Sequence, residues 1–207
     1  MSTPPPLPVE GASRNNLLRK GLNAGLVLVV LATIIAVYRL TPTQQDIQDP
    51  TPVNGIVGKA VKTPRFELTV RSVQVSKKLR IPKSAPDRES LSDFVVVDAV
   101  VKATREPMHL NNVSIKAADG TTYLGANRAG LEEVDLTSFE FAPDIPAQGS
   151  FVVEMPADQL PGAVLQVMEK AIFNDLEPQA RIPLGVQKDQ LAGLRKDVAI
   201  FNAADAS

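Results

Sequence analysis

The sequence contains no cysteine, and it has a single histidine, His109, among 207 residues. The absence of cysteine excludes a disulfide framework, a lipid-modified cysteine anchor, a thiol nucleophile and thiolate metal ligands. One imidazole cannot build a histidine-based metal site alone, and the sequence ties neither carboxylates nor a nucleophile to it. We therefore expect no metal, no cofactor and no catalytic residues, which makes a non-enzymatic role the favoured interpretation.

An excess of charge of one sign is also missing, because 22 Lys and Arg residues face 23 Asp and Glu residues. Nucleic-acid-binding domains usually present a basic face, so this balance predicts no nucleic-acid partner. The sequence also lacks a Gly-x-Ser-x-Gly motif, a phosphate-binding glycine-rich loop and the spacing of a calcium loop. The acidic stretch that begins at Glu132 is interpreted as a solvated edge.

One long segment lacks charge and proline altogether, and it spans the 17 residues 22–38. With its flanks, segment 21–40 is long enough at ~1.5 Å per residue to cross a ~30 Å hydrocarbon core as a transmembrane helix. Arg14, Arg19 and Lys20 precede it, whereas only Arg39 follows closely, so the N-terminus is predicted to be cytoplasmic and the C-terminus external. Because a signal-peptide core usually has ~7–15 residues, an uncleaved signal-anchor is favoured over a cleaved one.

Small residues lie along one face of this predicted helix, four or seven positions apart: Gly21, Gly25, Ala32 and Ala36. Such residues let two helices approach closely in lipid. The face is therefore a candidate contact with a second helix. The alternative is chance, because Gly and Ala are common in membrane helices.

The rest of the chain divides around this segment. Residues 1–20 are predicted to form a cytoplasmic Pro-rich and basic tail, and residues 41–54, with Pro42, Pro50 and Pro52, a linker. Residues 55–187 show short apolar runs between turn signals, which predicts an all-β antiparallel sandwich outside the cell. Residues 188–207 are predicted to be a C-terminal tail with a short helix.

Two of the predicted strands carry specific expectations. Residues 66–70 alternate strictly and the apolar parity then changes, which predicts a bulge at Arg71-Ser72 or a sheet covered on both faces. Residues 94–101 are apolar on both parities except at Asp98, which predicts a central strand covered on both faces. Asp119-Gly120 between two alternating runs predicts a hairpin.

Residues 77–92 are predicted to form a long loop, in which positive charge is concentrated in Lys77, Lys78, Arg80 and Lys83. Long loops in compact domains are often functional, so these four residues are candidate contacts with an acidic partner. The alternative is a solvated excursion without a partner.

An ordered series of strand and turn motifs runs from Gly55 to Val186. It comprises Gly58, Phe66-x-Leu68-x-Val70-x-Ser72-Val73, Phe94-Val95-Val96-Val97, Asp119-Gly120-Thr121-x-Tyr123, Gly149-x-Phe151-x-x-Glu154-Met155-Pro156 and Leu160-Pro161-Gly162-Ala163-x-Leu165. This order resembles the telokin-like, immunoglobulin-like extracellular domains of bacterial envelope proteins. The resemblance implies a sandwich of unknown function without a common catalytic site. Residues 102–107 depart from the family pattern, in which Asn-Gly-type residues usually follow the central strand.

The combined interpretation is a single-pass membrane protein whose external β-sandwich is a non-enzymatic binding or accessory module with a protein partner in the envelope. One alternative is an accessory subunit of a larger membrane complex, of transporter or respiratory type, held through its helix. Another is a secreted ligand-binding sandwich released by cleavage. Fold analogy does not separate these functions.

Overall fold

The computed structural model describes residues 25–35, 50–81, 87–125, 135–169 and 177–206. The chain divides into two compact units, Met1–Ile47 and Gln48–Ser207. In the first unit, residues 25–35 form helix α1, whose side chains are all exposed. Within the described residues, no helix combines the length and the apolar character needed to cross a membrane. The remainder of the predicted segment 21–40, including Gly21 and Ala36, lies outside the described residues.

The described residues of the second unit form strands in two sheets, and the longest are β3 and β4, with 15 and 16 residues. Their bounds are β1 Thr51–Asn54, β2 Val61–Lys62, β3 Phe66–Arg80, β4 Arg88–Ala103, β5 Asn112–Lys116, β6 Thr122–Leu124, β7 Ala147–Met155, β8 Val164–Met168, β9 Pro178–Pro183, β10 Ala199–Ile200 and β11 Asp205–Ala206. One sheet has the order β1-β9-β8-β5-β6, and the other has the order β10-β3-β4-β7-β11 with β2 beside β3. Helix α2, Leu191–Leu194, is a single turn that follows a 3-10 helix at Lys188–Gln190.

The two sheets enclose one hydrophobic core. Successive side chains of a strand point to opposite faces, so every second residue of β4, from Val95 to Val101, faces inward. These residues pack in one cluster with Ile115 and Leu165 of the other sheet. The prediction of an all-β sandwich is therefore confirmed.

The parity change in β3 has the predicted cause. Val70 pairs with Ala99 and Ser72 pairs with Asp98, so Arg71 is an extra residue without a partner in β4. This bulge reverses the facing of the following residues and returns Val75 to the core. The predicted hairpin is also present, since β5 and β6 flank Gly120, whose φ of 93° suits glycine.

The outer face of the β3-β4-β7 sheet carries a second hydrophobic cluster. Phe94 and Val96 of β4 pack there with Val152, Leu79 and the C-terminal residues Ala199 and Phe201. Strand β4 is therefore covered on both faces, as its apolar parities predict. The predicted C-terminal tail with a short helix is instead part of the fold. Only Leu191–Leu194 form an α-helix, whereas Ala199–Ile200 add β10 to β3 and Asp205–Ala206 add β11 to β7.

A second boundary also differs from the prediction. The last residues of the predicted linker, Thr51–Asn54, form β1 and pair in parallel with β9. Alternation of apolar residues is absent from this stretch, because its backbone is held at a sheet edge while its side chains stay largely exposed. The sandwich thus begins before Gly55.

One polar side chain ties the outer face together. Asp98 Oδ2 accepts a hydrogen bond from Ser72 Oγ at 2.6 Å, and Asp98 Oδ1 accepts from Ser150 Oγ at 2.7 Å. The side-chain amide of Asn202 donates to the same Oδ1 at 3.0 Å. Asp98 therefore joins β3, β4 and β7 to the C-terminal segment, and these bonds offset the cost of placing a carboxylate on an apolar strand.

An ionic cluster holds the end of the sandwich at which β3 begins and β4 ends. The Arg65 guanidinium donates two parallel hydrogen bonds to the Glu169 carboxylate, at 2.6 and 2.7 Å, and a further one to Glu106. The hydrogen bonds to Glu169 and Glu106 raise the pKa of Arg65 above its usual value. Bidentate pairs of this kind fix geometry as well as charge, so the cluster joins the turn before β3 to the end of β8.

Candidate functional site

The pairing of β3 with β4 is interrupted near its far end. Ser76 pairs with Phe94 and Lys78 pairs with Glu89, so the four residues 90–93 of β4 face Lys77 alone. Such bulges re-aim side chains and are common next to functional sites. This interruption is called the β4 bulge below.

Serine hydroxyl groups hold the β4 bulge on both strands. Ser76 Oγ accepts a hydrogen bond from the Lys78 N–H at 3.0 Å, and Ser90 Oγ accepts from the Ser92 N–H at 3.0 Å. These local bonds replace the backbone ladder that the extra residues interrupt. The Ser76 hydroxyl also donates to the carbonyl of Asp197 at 3.1 Å, which docks the C-terminal segment at this point.

The β4 bulge turns one large apolar side chain fully into solvent. Leu91 is completely exposed, whereas Phe94, three residues later, is buried. Leu91 lies on the wall of a cleft of about 460 Å³ between the bulge, the turn after β7 and the C-terminal segment. The other residues that line this cleft are Lys77, Ser92, Asp93, Pro156, Ala157, Asp158 and Arg195.

The cleft contains a buried carboxylate. Only 10% of the Asp93 side chain is exposed, and its Oδ2 accepts a hydrogen bond from the Ala157 N–H at 3.1 Å. This bond anchors the start of the 3-10 helix Ala157–Gln159. Its other oxygen, Oδ1, has no hydrogen-bond partner among the described residues, and the Arg195 guanidinium lies 3.5 Å away.

The predicted contact residues Lys77, Lys78 and Arg80 belong to a strand, and their predicted placement in a long loop is wrong. Strands β3 and β4 extend to Arg80 and from Arg88, because the hairpin pairs across charged side chains that a periodicity argument assigns to solvent. Lys83 lies outside the described residues.

The hairpin pairs neutralise two of the predicted contact residues. Lys78 Nζ lies 2.8 Å from Glu89, and the Arg80 guanidinium binds Asp87 with hydrogen bonds of 2.9 and 2.7 Å. The hydrogen bond with Glu89 raises the pKa of Lys78, and that with Arg80 lowers the pKa of Asp87. Lys77 is exposed, forms no ion pair with another described residue and lines the cleft. Of the three predicted basic contacts that the structure describes, Lys77 is thus the one that lines the cleft.

The remaining candidates from the sequence are distributed elsewhere. His109 is exposed after β4. Asp135 is buried and its Oδ1 accepts hydrogen bonds from the backbone N–H groups of Thr137 and Ser138, so this part of the acidic stretch forms a turn. Within the described ranges, no three side chains of the types that bind metals come together.

Three residues of the cleft were missed by sequence reasoning: Leu91, Asp93 and Arg195. The available signal is the break in apolar alternation at residues 90–93, of which 90–92 fall in the predicted loop and Asp93 lies just after it. No local sequence pattern predicts Arg195 as a cleft residue, because its position beside Asp93 depends on a contact between residues about a hundred positions apart.

No protein-family model matches the chain, and no curated protein matches it significantly. Among solved structures, it is similar to an uncharacterized β-sandwich protein from Clostridium difficile, with 12% identity, a TM-score of 0.41 and coverage of 68% of this chain and 99% of that one. It is also similar to MPT63, a secreted protein from Mycobacterium tuberculosis, with 15% identity, a TM-score of 0.44 and coverage of 63% and 98%. A third similar structure is the yjhA protein from Bacillus subtilis, with 9% identity, a TM-score of 0.45 and coverage of 61% and 97%.

Proposed function

We propose that this chain is a membrane-anchored envelope protein whose external β-sandwich is a non-enzymatic binding module, and that the cleft beside the β4 bulge contacts its protein partner. The observation that carries this proposal is the fully exposed Leu91 beside the exposed Lys77. A bulge that turns a leucine out of a covered strand creates an apolar contact point with a charged rim. This combination is typical of the centre and edge of protein interfaces.

The topology supports an immunoglobulin-like assignment within the proposal. Strands β3, β4 and β7 are neighbours in one sheet, and β5, β8 and β9 are neighbours in the other. The immunoglobulin fold places strands A, B and E opposite strands C, F and G in the same chain order. Sandwiches of this kind commonly present binding residues at the ends of their strands, where the cleft lies.

A co-purification experiment tests the cleft as the contact. The full chain in mild detergent is used as bait, and co-eluting proteins are identified by mass spectrometry. The double variant Lys77→Ser, Leu91→Ser should lose the partner. The matched control is Lys116→Ser, Leu124→Ser, because both residues are exposed on the β5-β6 hairpin of the other sheet. Retention by the first variant, or equal loss in both, would exclude the cleft as the contact.

Membrane attachment is supported by the apolar run and by the excess of basic residues before it. Protease added to spheroplasts should remove residues after about Arg39 and leave the N-terminal tail protected. A mature chain that begins after Ala36 would contradict the anchor and favour the secreted alternative.

The second candidate function is an accessory subunit held in a larger membrane complex through the helix. It is supported by the small residues on one face of the predicted helix, of which Gly25 and Ala32 lie in helix α1. A Cβ added at Gly25 meets no atom within 4 Å, so a leucine at this position fits helix α1 itself. Gly25→Leu or Ala32→Leu should release a helix-bound partner, while the control Val30→Leu retains it. Equal tolerance at the three positions would leave the helix as an anchor alone.

A further inference from the structure

We propose that the cleft binds the cationic side chain of an arginine on the partner protein, and that Arg195 occupies this position in the free chain. This inference rests on the proposed binding function and names the chemistry that the cleft recognises. Asp93 supplies the carboxylate, and Leu91 and Pro156 supply apolar surface for the methylene groups that carry a guanidinium.

One of the two oxygens of the buried Asp93 carboxylate is not hydrogen-bonded among the described residues. Its Oδ2 is committed to the Ala157 N–H, whereas its Oδ1 is buried without a hydrogen bond among the described residues. A buried carboxylate oxygen is costly unless it is paired and hydrogen-bonded. A guanidinium with a full fork of donors would supply what Oδ1 lacks.

Arg195 is positioned as a weak internal occupant. Its guanidinium is 3.5 Å from Oδ1 without forming a hydrogen bond, and more than half of its side chain is exposed. The backbone at Arg195 is nevertheless fixed, because it bridges to Val75 and the next N–H, that of Lys196, donates to the Val75 carbonyl at 2.8 Å. The side chain can therefore swing out of the cleft while the segment stays docked.

Two exposed residues of opposite charge at the edge of the cleft favour a protein partner over a free polyamine. Lys77 and Asp158 are exposed on the cleft and carry opposite charges. A peptide that inserts an arginine toward Asp93 can place an acidic neighbour against Lys77. A free polyamine would bring no group for Lys77, so the arrangement fits an arginine side chain on a protein better.

Calorimetric titration of the full chain in detergent tests this inference with acetyl-Asp-Arg-Ala-amide, whose aspartate supplies the acidic neighbour for Lys77. The isosteric neutral control is the same peptide with citrulline, and spermidine tests for a polyamine. Arg195→Gln should bind the arginine peptide about two- to sixfold more tightly than the original chain. The Arg195 guanidinium is half exposed and not hydrogen-bonded to Asp93, so the ion pair closes the site by a modest factor, and apparent affinity follows the open fraction. Asp93→Asn should abolish binding, and the control Lys188→Gln should leave it unchanged.

Each outcome decides the proposal. Equal binding of arginine and citrulline peptides by Arg195→Gln would overturn it, and this comparison remains valid even where Asp93→Asn fails to fold. An Arg195→Gln variant that loses thermal stability but gains no affinity would show that Arg195 stabilises the fold and does not occupy the binding position, which would overturn that part of the proposal. Equal or tighter binding of spermidine would overturn the protein partner. Loss of these peptide effects with intact co-purification would refute the arginine site and leave the binding function standing.

Discussion

Replacement of Phe201 by alanine measures how firmly the C-terminal segment belongs to the fold. Phe201 has no exposed surface and packs with Phe94 and Val96 on the outer face of β4. Its backbone N–H also donates to the Arg80 carbonyl at 2.9 Å, and alanine keeps this bond. The change therefore removes side-chain packing alone.

Truncation of a buried phenylalanine to alanine costs about 3–5 kcal/mol, which combines lost transfer free energy and the cavity left behind. In a unit of ~160 residues, 1 kcal/mol shifts the melting temperature by about 2–4 °C, so Phe201→Ala should lower it by roughly 6–20 °C. The matched control is Ile200→Ala at the preceding residue, the last of β10. Ile200 is 53% exposed, so its removal should change the free energy of unfolding by only about 0.5 kcal/mol.

Thermal unfolding followed by circular dichroism in detergent compares the two variants directly. Limited digestion with trypsin supplies a local readout, because Lys196 lies just before the anchored residues and becomes cleavable when the segment detaches. Phe201→Ala should be cut there faster than Ile200→Ala. If both variants melt and digest alike, the segment does not cover the sheet in solution, and the reasoning about the second cluster is wrong.

The remaining predictions concern the polar contacts. Asp98→Ala leaves Ser72 and Ser150 without their charged acceptor and should cost about 3 kcal/mol in urea unfolding, since hydrogen bonds to charged groups contribute about 1.5–3 kcal/mol. Arg65→Ala should cost about 1–2 kcal/mol, and the loss should diminish with salt because the cluster is partly exposed. The Asp87 carboxyl should titrate by NMR below its usual pKa of ~3.9, and Arg80→Gln should return it upward. Because the folded-state pKa is lowered, the pair contributes above that usual value and is lost as pH falls through the folded one.

Local sequence patterns predicted much of the sandwich because its strands obey the two-residue period. The bulge at Arg71 was readable from a change of apolar parity, and the double coverage of β4 from its apolar run. The same reasoning is wrong at the hairpin end, where it predicts a loop at Lys78 and Arg80 and the structure has the end of β3. Charged side chains there continue the strand through cross-strand ion pairs. The periodicity of apolar residues gives no information about such pairs.

The C-terminal segment shows what remains out of reach of local patterns. Phe201 ends the short apolar run 198–201, and its spacing from Leu194 and Val198 is that of a helix. It is buried instead as part of an extended segment, because a distant sheet face is apolar. The sequence shows that the second face of β4 is apolar and therefore requires a cover. It did not say which segment provides the cover, because that choice depends on chain path and not on local composition.

The cleft and this cover are parts of one arrangement. The β4 bulge exposes Leu91, and the segment that docks against β3 at the same level brings Arg195 to Asp93. Without the segment, the outer face would expose Phe94 and Val96, so the fold requires the contact that also places a guanidinium in the cleft. The position of Arg195 is thus a consequence of covering the sheet, whereas its loose contact with Asp93 is not required for coverage. That difference is why a variant at Arg195 should alter recognition while a variant at Phe201 should alter stability.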